Sequence, residues 1–210
     1  MEILESTKTT NGNPVELIGT SGKNKKLVIG VFHGDEPQGK FLIDKYLTGG
    51  NVNDNLFFIP CLNPDGMGLN RRTNANQVDL NRNFPTKNWG EDGSGAGSDA
   101  SAYYGGKSPA SEIETKFVID VIEKYSPSFI LTLHAPYKVV NYDGPAENQA
   151  QKLSEIIGYP VEASIGYPTP GSFGTYCGVE RNIPTITLEL DDEIPTENLI
   201  PPVFEIFNSL

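Results

Sequence analysis

The chain has 210 residues, 37% of them hydrophobic, and a formal net charge of −11 at pH 7. That length supplies one well-formed core, so a single domain over 1–210 is expected. No run of eighteen apolar residues offers a membrane span, and the acidic balance argues against a general nucleic-acid surface, whose affinity comes from neutralising phosphates. The opening MEILESTKTTNG lacks a basic start followed by an apolar stretch, so cytoplasmic residence is expected. Two cysteines make no disulfide framework. Cys61, inside LFFIPC, reads as a buried small hydrophobe, and Cys177 lies in a glycine-rich loop.

In chain order, residues 15–18 and the continuous apolar run 26–32 read as strands, the second of the buried kind found in layered α/β proteins. Residues 37–47 read as a helix with Pro37 in its first turn and Gly49-Gly50 ending it. A strand follows at 55–60. From 61 to 108 the chain turns to Asn, Gly, Asp and Ser with little periodicity, a length that usually marks a functional loop. Residues 91–106 have the composition of a mobile loop, with Tyr103 and Tyr104 available to pin it. Ser111 and Glu114 have capping-box spacing, and a helix is expected from there to about Lys124, with an apolar stripe of Ile113, Phe117, Ile119 or Val121, and Ile122. Strands at 128–133 and 137–140, a helix over 146–157 ending at Gly158, a Gly/Pro/Tyr-rich loop to 184, a strand at 185–190 and a helix over 195–208 complete the chain. This alternation predicts an α/β fold with a mixed, mostly parallel sheet flanked by helices on both faces.

The chain has only two histidines, and each directly follows a strand run: LVIGVF-His33 and FILTL-His134. Ligands of open α/β sheets bind beyond the carboxyl ends of strands. Two unrelated histidines at loop entries would read the same way until Glu36 is added. His33-Gly34-Asp35-Glu36 places a carboxylate one turn from an imidazole, and two histidines with one glutamate form a ligand set of catalytic zinc with a position left for water. One zinc ion held by His33, Glu36 and His134 is therefore the candidate cofactor. In a strand over 185–190, Glu189 shares a face with Thr185 and Thr187. A carboxylate there is costly to bury without a purpose, which makes Glu189 a candidate general base; an edge-strand glutamate facing solvent is the plain alternative. Of four arginines, Arg71, Arg72 and Arg82 lie within twelve residues. Arg72 is the candidate for stabilising an oxyanion, and Asn81 with Arg82 for gripping a substrate carboxylate. Surface ion pairs locking the long loop are the alternative for each arginine.

Several pieces then fall in one order: His33-Gly34-Asp35-Glu36, Asn63-Pro64-Asp65-Gly66, Arg72-Thr73-Asn74-Ala75 through Val78-Asp79-Leu80-Asn81-Arg82-Asn83-Phe84-Pro85, Ser111-Glu112-Ile113-Glu114-Thr115, Leu133-His134 and Thr187-Leu188-Glu189-Leu190. Together they resemble the zinc carboxypeptidases of the metallocarboxypeptidase superfamily, with the nearest likeness in the bacterial murein peptide amidase branch. The resemblance implies a twisted mixed sheet between helices with the site at strand ends. It implies His33, Glu36 and His134 as zinc ligands, Arg72 at the scissile carbonyl, Asn81 and Arg82 at a carboxylate, and Glu189 as base and later proton donor. Two positions depart from the pattern. Gln77 stands where a glycine is usual, and Ile113 where a proline is usual. Tyr167 and Tyr176 lie where digestive relatives carry a mobile tyrosine, and either is a possible pocket residue. The stretch 167–175 resembles the amidase branch and is expected to line the substrate pocket.

The resemblance implies a small peptide substrate with a free carboxylate, cleaved at the bond between γ-D-glutamate and meso-diaminopimelate. The alternatives are a carboxypeptidase for other small peptides, an acyl-amino-acid deacylase, or a zinc-binding protein without catalysis. No nucleic-acid or membrane partner is expected, and oligomeric state is left open.

Overall fold

The computed structural model describes residues 1–90, 100–163 and 166–210. Among these residues eight strands form one mixed sheet: β1 (Glu2–Lys8), β2 (Pro14–Gly19), β3 (Lys26–Gly30), β4 (Leu56–Ile59), β5 (Phe129–His134), β6 (Val139–Asp143), β7 (Val161–Glu162) and β8 (Thr185–Glu189). Their order across the sheet is β1-β2-β4-β3-β5-β8-β6-β7. The centre, β4-β3-β5-β8, is parallel. β1 and β2 pair antiparallel with their neighbours, β6 runs antiparallel to β8, and β7 pairs parallel with β6 at the edge. The central strands are the continuous apolar runs of the sequence, buried along their length because helices cover both faces, and the sheet carries the twist of such assemblies.

Among the described residues five α-helices surround it: α1 (Gln38–Thr48), α2 (Pro64–Gly68), α3 (Ile113–Tyr125), α4 (Glu147–Ile157) and α5 (Ile200–Ser209). α1, α4 and α5 pack on one face, where Leu42, Ile43, Leu153, Val203 and Phe207 meet Val28, Leu131 and Ile186. α3 covers the other face with Phe117, Val118, Val121 and Ile122 against Leu27, Phe57 and Ile130. On that same face the irregular chain contributes Leu80, Phe84, Phe173, Tyr176 and Cys177 to the core. The expected α/β sandwich with helices on both faces is thus present. Among the described residues no helix is long and apolar enough to cross a membrane. Both cysteines are buried and free.

Several local expectations need correction. The strand at 26–32 stops at Gly30, because Val31 turns to a positive φ of 54°. The capping box at Ser111 does not form. Glu112 is the N-cap and makes no side-chain cap bond, while the Ser111 hydroxyl donates to Glu112 Oε1 at 2.6 Å and accepts from Asn83 Nδ2 at 3.0 Å. Glu114 is fully buried and Ile113, expected in the apolar stripe, is exposed. The closing helix over 195–208 is a single tight turn at Thr196–Leu199 followed by α5. Two segments read as loop carry structure: 61–108 holds α2 and short turns at Leu80–Arg82 and Ala100–Tyr103, and 158–184 holds β7 and a wide helical turn at Thr175–Val179. Residues 91–99 of the expected mobile loop lie outside the described residues. Its far end is anchored at Tyr104, whose carbonyl accepts from the Asp79 amide at 2.8 Å.

Candidate active site

A cavity of about 460 Å³ opens at the carboxyl ends of β3, β5 and β8, and His33, Glu36, Arg72, Asn81, Arg82, His134 and Glu189 all line it. His33 reaches it through a tight turn. Past Gly30, the carbonyls of Gly30 and Val31 accept from Leu62 and Asn63 at 3.0 and 2.9 Å, so the chain leaves β3 held against the segment after β4. Val31 is β-branched with a left-handed φ, an arrangement that persists only when its surroundings impose it; it is fully buried. Gly34 is next along this turn. Its backbone is ordinary, but a Cβ there would lie 2.0 Å from the Gly66 carbonyl carbon. The glycine is thus required for close approach to α2 rather than for turn freedom. The Glu36 amide then donates to the His33 carbonyl at 3.2 Å, which brings both side chains to one side.

There His33 Nδ1 lies 2.7 Å from Glu36 Oε1, and His134 Nδ1 lies 3.0 Å from Glu36 Oε2. The two imidazole Nδ1 atoms are 3.3 Å apart. All three side chains offer a ligand atom within 4.8 Å of one another, a group that fits a single metal ion. The electrostatics suit a cation. Burial alone would make His33 less basic, yet the carboxylates of Glu36 and Asp79 outweigh it and raise its pKa. Burial would likewise raise Glu36, but the two histidines hold it far below the usual carboxylate range. Two nitrogen donors and a carboxylate match zinc in type. His134 stacks on Phe32 with centroids 5.3 Å apart. The other edge of His33 is aimed at Asp79, with Nε2 at 3.3 Å from Oδ1, the kind of outer carboxylate that orients a ligating imidazole.

Glu189 ends β8 in register with His134, the last residue of β5. It is 6% exposed, and its Oε2 has no hydrogen-bond partner among the described residues. Burial pushes its pKa up against the counter-pull of His134, and the nearby charge of Glu36 adds to the rise. The expectation that Thr185, Thr187 and Glu189 share a face is met: Thr187 and Glu189 line the cavity, while Ile186, Leu188 and Leu190 sit in the core on the other side.

The facing wall is built from irregular chain with one short helical turn at Leu80–Arg82. Arg72 is held by Asp79, with Nε and Nη2 each 2.9 Å from Oδ2, and its Nη1 stands 3.8 Å from Glu36 Oε1. Asp79 is fully buried, and although burial opposes its charge, Arg72 and His33 keep it ionised to well below its normal range. Asn81 turns its Oδ1 to the Phe173 amide at 2.8 Å. Arg82 donates through Nη1 to the Asn81 carbonyl at 2.7 Å, and its buried Nε has no partner among the described residues. The Tyr103 ring lies beside both guanidinium groups, 4.9 Å from Arg72 and 5.7 Å from Arg82. Gln77 has a φ of 61°, so this residue adopts the left-handed turn for which a glycine is usual.

Of the two tyrosines, Tyr167 lines the cavity and its hydroxyl pKa is pushed up to about 12 by burial. Tyr176 does not. It is 2% exposed, packs against Phe84 with centroids 5.4 Å apart and lies under Arg181 at 3.4 Å. Its segment is a wide helical turn whose apolar side joins the core, so it is a core residue and not a pocket residue. From the stretch 167–175, Thr169, Ser172 and Gly174 also face the cavity. Asp79, Tyr137 and Asp143 were missed by sequence reasoning. Asp79 had a signal, since a charged residue inside an otherwise apolar and amide run needs a partner. Tyr137 and Asp143 had none.

A family model described as zinc carboxypeptidase matches residues 1–156. The chain is 41% identical over 137 residues to murein peptide amidase A of Vibrio campbellii, covering 61% of this chain and 54% of that protein. It is 37% identical over 135 residues to murein peptide amidase A of Escherichia coli K12, covering 61% and 55%. The chain thus spans about half the length of the curated relatives it matches. The crystal structure of murein-tripeptide amidase from Escherichia coli O157 superposes with a TM-score of 0.83 at 28% identity, covering 96% of this chain and 88% of that one.

Proposed function

This chain belongs to the zinc carboxypeptidase family, and we propose that it hydrolyses an amide bond in murein-derived peptides, between γ-D-glutamate and meso-diaminopimelate, as one cytoplasmic catalytic domain over 1–210. The observation that carries this reading is the convergence of His33, Glu36 and His134 in the same cavity as Glu189, Arg72 and Arg82. The names of the amidase relatives supply the substrate class.

His33, Glu36 and His134 would hold one zinc ion, which when bound supplies Lewis acidity, making water a stronger acid and polarising a carbonyl. Glu189 takes the proton of the attacking water. Its raised pKa brings it closer to neutrality, where a carboxylate both accepts and returns a proton well. As the water oxygen bonds to the carbonyl carbon, the Arg72 guanidinium, fixed by Asp79, meets the developing oxyanion. Glu189 then delivers its proton to the departing nitrogen as the C–N bond breaks. Arg82, with the free amide edge of Asn81, holds the substrate carboxylate, and Tyr167 closes part of the pocket.

The test is to incubate zinc-loaded protein with L-alanyl-γ-D-glutamyl-meso-diaminopimelate and follow free diaminopimelate by mass spectrometry beside Glu189→Gln. Release that needs both metal and Glu189 is expected, with the variant slower by about 10²–10⁴-fold. No release from folded, metal-replete protein rejects this substrate. Cleavage of ordinary L-peptides or acyl-amino acids instead would reassign the reaction within the same chemistry.

A further inference from the structure

Two arginines stand in one cavity, and they are held unequally. Arg72 is clamped by Asp79, with Nε and Nη2 each 2.9 Å from Oδ2. Arg82 is 3% exposed. Its Nη1 donates to the Asn81 carbonyl at 2.7 Å, and its Nε has no partner among the described residues. A guanidinium is a rigid planar fork of five N–H donors, and a single backbone carbonyl leaves that plane free to swing. Recognition of a carboxylate through two parallel bonds needs the plane fixed.

The Tyr103 ring supplies a second hold. Its centroid lies 5.7 Å from Arg82 Cζ and 4.9 Å from Arg72 Cζ, within the range at which a ring face attracts a cation, and Tyr103 lines the same cavity. The ring is carried by backbone laid on the arginine's own segment. The Tyr104 carbonyl accepts from the Asp79 amide at 2.8 Å. The Gly105 carbonyl accepts from Asn83 Nδ2 at 2.7 Å and from Trp89 Nε1 at 3.3 Å. Residue 105 must be glycine for this approach, because a Cβ there would lie 2.6 Å from the Arg82 carbonyl oxygen. Bonds from residues on either side of Arg82 therefore fix where the ring stands relative to its guanidinium.

We propose that Tyr103 is a positioning residue for carboxylate recognition: its ring face, rather than its hydroxyl, holds the Arg82 guanidinium in the plane that meets the substrate carboxylate. The inference rests on the reading above in assigning that carboxylate to Arg82. Arg72 gains less from the same ring, because Asp79 already holds two of its nitrogens. Loss of the ring therefore weakens substrate binding and leaves the chemical step nearly intact.

Two readouts separate positioning from catalysis and from folding. The first needs no substrate. The chain has four arginines, so the zinc-loaded, nitrogen-15-labelled protein gives four Nε–Hε signals, assigned through single Arg→Lys variants. The ring current of Tyr103 should shift the Arg72 and Arg82 signals upfield, and relaxation should report an ordered Arg82 side chain, with an order parameter above about 0.6. Tyr103→Leu should remove both shifts and loosen Arg82 below that value, while Arg72 stays ordered on Asp79. The second readout is the split of kinetic constants for L-alanyl-γ-D-glutamyl-meso-diaminopimelate. Tyr103→Leu should raise KM about tenfold and change kcat by less than about threefold. Tyr103→Phe, which keeps the ring, should restore KM, and Tyr103→Met serves as the ringless variant should the leucine protein fail to fold. An unshifted or mobile Arg82 signal in the unsubstituted protein overturns the proposal. So does a KM indifferent to loss of the ring, or a phenylalanine variant as impaired as the leucine one, which would assign the role to the hydroxyl. A joint loss of kcat, substrate binding and zinc affinity would overturn it too, as the mark of a general structural role. If folded, metal-replete protein cleaves no peptide, the amidase reading falls, and the Arg82 signal alone decides the positioning.

Discussion

One wall of the cavity rises from the ends of β3, β5 and β8, and the other from the irregular segment 71–84. In the first, parallel backbone ladders place His134 and Glu189 side by side. In the second, buried side chains do the work of a ladder. Asn74 Oδ1 accepts from the Val78 amide at 3.1 Å while its Nδ2 donates to Glu112 at 2.8 Å. Asn83 Nδ2 donates to the Gly105 carbonyl at 2.7 Å. Asn63 Nδ2 donates to the carbonyls of Phe32 and Arg72 at 3.2 and 3.1 Å. A ladder depends on backbone and tolerates many side chains. A polar network depends on particular side chains, since each one lost leaves a buried group unpaired.

The strongest way to break this contrast is Asp79→Ala. It strips Arg72 of its partner, leaves the Asn81 amide without its acceptor and removes the carboxylate that stands 3.3 Å from His33 Nε2. Chemical denaturation should show a loss of about 3 kcal/mol, and zinc affinity should fall by about 10–100-fold in equilibrium dialysis. Thr132→Val on the ladder wall, which removes a buried hydroxyl bonded to Thr187 at 3.2 Å, should cost only about 1 kcal/mol. Equal losses would erase the distinction between the walls.

Next in size is Glu114→Gln. Burial, reinforced by the nearby charges of Glu112 and Asp65 and opposed by the Asn74 amide, raises the Glu114 pKa from 4.5 to about 7. A carboxyl raised on folding contributes stability that is complete below the unfolded value and is lost as pH climbs through the folded one. The native protein should therefore lose stability between about pH 4.5 and pH 7 through this group, by about 2–3 kcal/mol. Glu114→Gln should flatten that part of the stability profile and be the more stable protein at pH 8. An unchanged slope would show that Glu114 stays ionised in its network. The smallest effect is Gln77→Gly. Relief of the left-handed φ, about 1 kcal/mol, is partly offset by glycine's greater freedom when unfolded. Melting temperature should rise by about 1–3 °C; a fall would mean that the Gln77 side chain contributes more than the turn strains it.

The same contrast explains what could be read from residues alone. His33 and His134 were legible because each closes an apolar run, and strand ends are where α/β sheets place ligands. Glu189 was legible because alternation along 185–190 puts it on the face opposite Ile186 and Leu188. On the network wall the clustered arginines and Asn81 were legible as residue types, and the rest only as a motif likeness: periodicity carries no sign that Asn74 reaches Glu112 or that Asp79 lies between Arg72 and His33. The capping box failed for this reason, since Ser111 and Glu114 were both engaged by residues distant in the chain.

Apolar patterning thus determined the layered fold, the strands that end at the site, and the residue types able to hold a metal and move a proton, because burial acts on every residue by one rule. Which side chains turn inward from irregular chain was decided only in three dimensions. Tyr176 went to the core and Tyr167 to the cavity from the same loop, Gly34 admitted α2, and Gly105 let the Tyr103 segment lie on Arg82, because close packing depends on the shape of neighbours that folding alone brings together.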